Sequence, residues 1–114
     1  MADFLVMEQG AGAPVTWRPD AARVIHGDPE FQAWPVDKAD RGVSAGIWQA
    51  TPGKWRFQST VWEYCRILSG ISIITEEGAE PRTVRAGDSF VLRAGFKGTW
   101  EVIETTRKDY VVRD

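Results

Sequence analysis

The chain has 114 residues, 43% of them hydrophobic and 26% charged, with a net charge of −2. That length holds one domain and no second core. A near-neutral chain without a block of like charge argues against a nucleic-acid partner, which needs a basic patch to displace counterions. No apolar stretch is long enough for a membrane-spanning helix, so no membrane partner is expected. The opening residues carry Asp3 and no basic run, unlike a signal peptide.

Residues 1–42 contain Pro14, Pro19, Pro29 and Pro35 and no clean periodicity. Prolines at that density forbid long helices. This segment is expected to be an irregular N-terminal arm with short strands at Arg23–His26 and Gln32–Val36. From Val43 the chain changes character. Alternating, β-branched and aromatic runs predict strands at Val43–Ala50, Trp55–Thr60, Trp62–Leu68, Ile71–Thr75, Thr83–Arg85, Ser89–Leu92, Thr99–Glu104 and Lys108–Arg113. Glycine-bearing turns punctuate them, at Pro52-Gly53, Ser69-Gly70, Glu77-Gly78, Gly87-Asp88 and Ala94-Gly95. Eight short strands at this spacing indicate an all-β sandwich or barrel, with a jelly roll the natural candidate.

Cys65 is the single cysteine, which excludes an internal disulfide and fits a reducing, cytoplasmic setting. It lies mid-strand among apolar residues and reads as a small buried hydrophobe. Six tryptophans, Trp17, Trp34, Trp48, Trp55, Trp62 and Trp100, bring enough apolar area to hold a small core firmly.

Two stretches carry a family resemblance. The run Gly53 to Gly70, with Glu63 seven residues before the closing glycine, resembles the first cupin motif. The run from Gly87 through Gly95 to Val102 resembles the second. More narrowly, Ala45-Gly46-Ile47-Trp48, Thr51 to Trp55, Glu63 to Gly70, Ala86 to Phe90, Ala94 to Trp100 and Arg107 to Tyr110 are similar to the small cupins related to the ureidoglycine aminohydrolase cupin domain and to the ethanolamine-utilisation cupins. The resemblance covers roughly residues 24–112. It implies one cupin domain over residues 1–114, a double-stranded β-helix or jelly-roll barrel spanning 43–114, with residues 1–42 as its arm. It also implies a homodimer, since such arms commonly pair with a partner's sheet edge.

Cupin metal sites use a glutamate and usually three histidines. Aligned on Glu63 and Gly87, the histidine positions hold Phe57, Ser59 and Gly98, and the chain's one histidine, His26, lies in the arm. No metal and no other cofactor is therefore expected, and the aminohydrolase activity does not carry over.

Alternation places Phe57, Ser59, Glu63 and Cys65 on one inward face, and Gly98 with Trp100 and Val102. A carboxylate buried among aromatics is costly unless it is partnered. Arg93, Lys108 and the Tyr110 hydroxyl are the candidate partners of Glu63. Whether Glu63 ties strands together or serves a ligand stays open at this level.

The favoured reading is a small-molecule-binding cupin. Its ligand, small, polar and nitrogenous, would be held by Glu63 and Arg93 beside Ser59 and stacked on Phe57 or Trp100. A second reading is a metal-independent isomerase or hydrolase of a ureido, amino or sugar-like metabolite, with Glu63 as acid/base assisted by Lys108 or Tyr110. A third is a structural barrel, filled by its own aromatics and acting in an assembly.

Overall fold

The computed structural model describes residues 3–8 and 12–114. Among these residues nine strands follow one another: β1 Val15–Trp17, β2 Val24–Gly27, β3 Phe31–Lys38, β4 Val43–Ala50, β5 Gly53–Gln58, β6 Trp62–Glu76, β7 Arg82–Arg85, β8 Ser89–Leu92 and β9 Lys97–Arg113. A 3-10 turn at Ala21–Arg23 precedes β2, capped by the Asp20 carboxylate, which accepts from the Ala22 N–H at 3.1 Å. Among the described residues there is no α-helix, and so none long and apolar enough to cross a membrane.

Every ladder is antiparallel, and β6 and β9 organise them all. The C-terminal half of β9 lies between β4, from Val43↔Arg113 to Ala50↔Thr106, and the first half of β6. Its N-terminal half lies between β5, from Gly53↔Val102 to Gln58↔Lys97, and the second half of β6. One sheet therefore runs β1-β3-β4-β9-β6-β8, and the other β2-β5-β9-β6-β7. The two sheets share both long strands and curl over a common core of Phe31, Trp55, Ile67, Ile74, Val84, Leu92, Trp100 and Val102. This is the expected all-β jelly-roll barrel.

The shared strands correct the sequence expectation, which divided each of them in two. Gly70 sits inside β6 rather than in a turn, at φ +90°, and the register against β9 shifts on both sides of it. A Cβ there would collide with the Thr105 carbonyl oxygen. The bulge bends the strand without ending it and moves the inward parity from odd to even. Cys65 and Ile67 are buried before the bulge, and Ser72 and Ile74 after it. At the same crossing Trp100 Nε1 donates to Ser72 Oγ (3.0 Å), Ser72 meets Thr106 Oγ1 (2.6 Å), and Thr106 donates to the Glu104 carbonyl (2.8 Å). This buried chain satisfies all three side chains, which is why polar groups are tolerated at the bend.

The first 42 residues supply β1, β2 and β3 to the sheets of their own chain. Phe31, Ala33 and Trp34 are buried, and Phe31 belongs to the core. The strand expected at Gln32–Val36 is present as β3, and β1 is a strand the prolines had masked.

Candidate functional site

Between the two sheets lies a cavity of about 410 Å³. The first sheet contributes Phe31 and Ala33 from β3, Trp48 from β4, Glu63 from β6, Leu92 from β8, and Lys108, Tyr110 and Val112 from β9. The second contributes Trp55 and Phe57 from β5 and Trp100 from β9, while Trp17 of β1 stands half-exposed at the rim. The aromatic wall is continuous: Phe31 contacts Trp17, Trp48 and Trp55 at centroid separations of 5.6, 5.4 and 4.8 Å, and Trp48 meets Trp100 edge-on at 5.3 Å.

Among the described residues, only Glu63, Lys108 and Tyr110 bring ionisable or hydroxyl groups to this lining. Lys108 and Tyr110 point the same way because they are two apart on β9, as are Thr106 and Val112 on the same face. Lys108 Nζ donates to Glu63 Oε2 at 2.9 Å, with side chains 7% and 17% exposed, a nearly buried ion pair. The same ammonium lies 3.6 Å from Cys65 Sγ and over the rings of Trp48 and Trp100, at 4.5 and 4.7 Å from their centroids. Its N–H groups and its charge are thus engaged on every side that the protein offers.

Protonation follows from these neighbours. Burial works against the Lys108 ammonium, but negative charge beside it, on Cys65 once that thiol ionises at high pH and on Glu63, outweighs burial and holds its pKa above the ordinary lysine value. Burial pushes the Cys65 thiol up to about 12, against the pull of Lys108, so it is a neutral thiol near pH 7. Burial also lifts the Tyr110 phenol, again against Lys108 and with a further push from Glu63. Lys108 is therefore a fixed cation and Tyr110 a protonated hydroxyl, and neither is poised to accept a proton at neutral pH.

The structure brings together five of the residues singled out in the sequence, Phe57, Glu63, Trp100, Lys108 and Tyr110, and leaves two outside. Arg93 is exposed in the turn after β8, so it is not the partner of Glu63. Ser59 is buried, but its hydroxyl donates to the Val61 carbonyl (2.7 Å), its N–H to Phe96 O and its carbonyl accepts from Gly95 N. The strand alternation ends with β5 at Gln58, so residue 59 belongs to the turn and the inward parity does not reach it. Sequence reasoning missed Trp48 and Phe31 as lining, although their strand parity could have revealed them. It also missed Gly46, where any Cβ would lie 2.6 Å from the Tyr110 hydroxyl oxygen. Glycine there leaves room for the phenol.

The donors of a cupin metal site do not fit these residues. Phe57 offers no ligand, and a side chain at Gly98 would collide with the Thr75 carbonyl. His26 is exposed on β2, 3.2 Å from Glu101. Among the described residues no three His, Cys, Asp or Glu side chains gather closely enough to hold a metal ion. At Glu63 the nearest positive charge is the chain's own Lys108.

The family model of the EutQ-like cupin domain matches residues 37–110. A Pseudomonas syringae pv. tomato protein of unknown function is similar in fold, with a TM-score of 0.83 at 21% identity over 93% of this chain and 46% of that one. The Clostridium difficile EutQ protein superposes with a TM-score of 0.66 at 14% identity, over 75% of this chain and 63% of its own. A putative ethanolamine utilization protein Q from Salmonella typhimurium gives 0.64 at 15%, over 91% and 98%. The chain thus spans less than two thirds of the first two structures, and at these identities the likeness concerns the fold. No curated protein matches this chain.

Proposed function

The chain belongs to the EutQ-like cupin domain family, and on that premise we propose that it is a small-molecule-binding cupin that works without a metal. The observation that carries this reading is the 410 Å³ cavity, whose aromatic wall is interrupted, among the described residues, by ionisable groups at Glu63, Lys108 and Tyr110 alone. Concave, largely apolar sites with a few convergent polar groups are the usual form of ligand pockets. A cavity also stands where the purely structural reading needs packed side chains.

A second reading is favoured by the protonation pattern: a metal-independent isomerase or hydrolase of a ureido, amino or sugar-like metabolite. With Lys108 held as an ammonium and Tyr110 as a phenol, Glu63 is the base available, and the Tyr110 hydroxyl is the donor nearest in kind.

We also propose that the protein is a homodimer. Support comes from the outer face of the first sheet, where Tyr64 pairs with both Val91 and Val111. Trp62, Val91 and Val111 are 41%, 45% and 36% exposed there, a run of apolar side chains that a second copy would cover.

Native mass spectrometry of the protein as purified tests the reading. The expected result is a dimer carrying a small organic adduct that is lost when Trp48 or Phe57 is truncated to Ala. About one manganese, iron, nickel or zinc ion per chain, surviving dialysis, would overturn the metal-free part.

A further inference from the structure

We propose that Lys108 sets the charge class of the ligand: by filling the cavity's cation position itself, it restricts the pocket to uncharged, ring-bearing molecules whose polar end both donates and accepts a hydrogen bond. This rests on the ligand-binding reading above and deepens it.

Aromatic faces beside a carboxylate form a ready site for an ammonium group. Here that arrangement exists and is already occupied by the chain's own residue. Lys108 Nζ lies over Trp48 and Trp100 and 2.9 Å from Glu63. A ligand cation would have to displace it or sit beside a like charge at low dielectric, which costs heavily. An anion fares no better. The ammonium spends its donors on Glu63 and Cys65 and its remaining side on two rings, and Glu63 balances its charge. A ligand carboxylate brought here would be desolvated without a free cation to meet it.

What remains open is neutral. Lys108 engages one Glu63 oxygen, and neither the second oxygen nor the Tyr110 hydroxyl bonds a described residue. No buried side-chain oxygen or nitrogen among the described residues lacks a partner, so both atoms face accessible space. One accepts and one donates. A primary amide or an alcohol satisfies both, with its ring against Phe57 and the indoles. Size agrees: a cavity of about 150 Å³ takes benzene, so 410 Å³ accommodates a substituted ring system.

The test uses three probes that differ chiefly in charge: phenylacetamide, phenylacetate and phenethylammonium. Each is titrated to about 10 mM, the range expected of fragments, into the full chain and read by tryptophan fluorescence excited where the probes do not absorb. In the wild-type protein phenylacetamide is expected to bind at least about tenfold more tightly than either ion, since an unpaired buried charge costs more than the 1.4 kcal/mol that factor represents. In Lys108→Met the order is expected to change, with phenethylammonium becoming the tightest because Glu63 and both indole faces are uncovered. Glu63→Gln/Lys108→Met, which strands neither charge, is expected to keep the neutral preference should the single variant fail to fold. Wild-type preference for either ion, equal binding of all three, or an unchanged order in a folded Lys108→Met refutes the charge rule while leaving the site intact. Absence of binding by all three probes refutes the proposed class. Binding of phenylacetamide that Trp48→Ala and Phe57→Ala leave untouched would instead refute the cavity as the ligand site.

Discussion

Glu63→Gln removes one charge of the cavity's ion pair and leaves the geometry nearly intact, so its cost can be worked from the structure. At 2.9 Å, with an effective dielectric constant of about 20, the gross attraction is about 6 kcal/mol. Desolvation offsets part of that, and the substituted amide oxygen still accepts from Lys108. The rings of Trp48 and Trp100 continue to hold the ammonium, which is worth about 2 kcal/mol when desolvated. Stranding one partner of a buried pair costs about 3–5 kcal/mol, and these residual contacts place Glu63→Gln at the low end, about 3 kcal/mol. For a domain near this size that lowers Tm by about 12 °C, at about 4 °C per kcal/mol. Lys108→Met leaves Glu63, the more exposed partner, able to rehydrate from the cavity, and should cost about 2 kcal/mol. The double variant strands nothing and should also lose only about 2 kcal/mol, giving a coupling of about 3 kcal/mol. Urea melts of the four proteins at pH 7 measure this directly. Additivity within about 0.5 kcal/mol, or a neutral Glu63→Gln, would refute the buried pair.

The Cys65 thiol, raised from 9.0 to about 12 in the folded protein, keeps its proton where the unfolded chain loses it. Stability should therefore be full below pH 9 and fall above it, by about 4 kcal/mol in all at about 1.4 kcal/mol per pH unit. Between pH 9 and 10, below the ordinary lysine value, Cys65→Ala should show a flatter curve in chemical denaturation, and parallel curves would contradict the burial argument. Gly70→Ala forces a side chain onto the Thr105 carbonyl at φ +90°. It should lose about 3 kcal/mol or more, and a near-neutral melt would mean the bulge relaxes freely. Val111→Glu changes the outward face of β9 and should leave the melt of the fold recognisable while halving the mass seen by light scattering. A wild-type protein that is a stable monomer at micromolar concentration removes the dimer.

Much of this molecule is legible without coordinates because strand parity is a local property. Side chains two apart share a face, so Glu63 and Cys65 on β6 could be set on one inward face before any pairing was known, whereas Lys108 and Tyr110 were named only as candidate partners of Glu63, with no face assigned. The glycine-bounded alternating runs likewise determined an all-β barrel. Tertiary structure decided everything that depends on which strands meet. Glu63 and Lys108 are 45 residues apart, and only the register Glu63↔Val112 and Ile67↔Lys108 between β6 and β9 brings their ends together. Arg93 was chemically as good a partner, but it lies in a turn that the sheet directs to solvent. Ser59 lost its inward place because β5 ended one residue earlier. Gly70 reads locally as a turn and serves as a bend, since continuing the ladder past the bulge lets β6 and β9 pair on both sheets. Whether the aromatics would fill the barrel or line it was also beyond the sequence, because a cavity is what remains after two sheets set their distance.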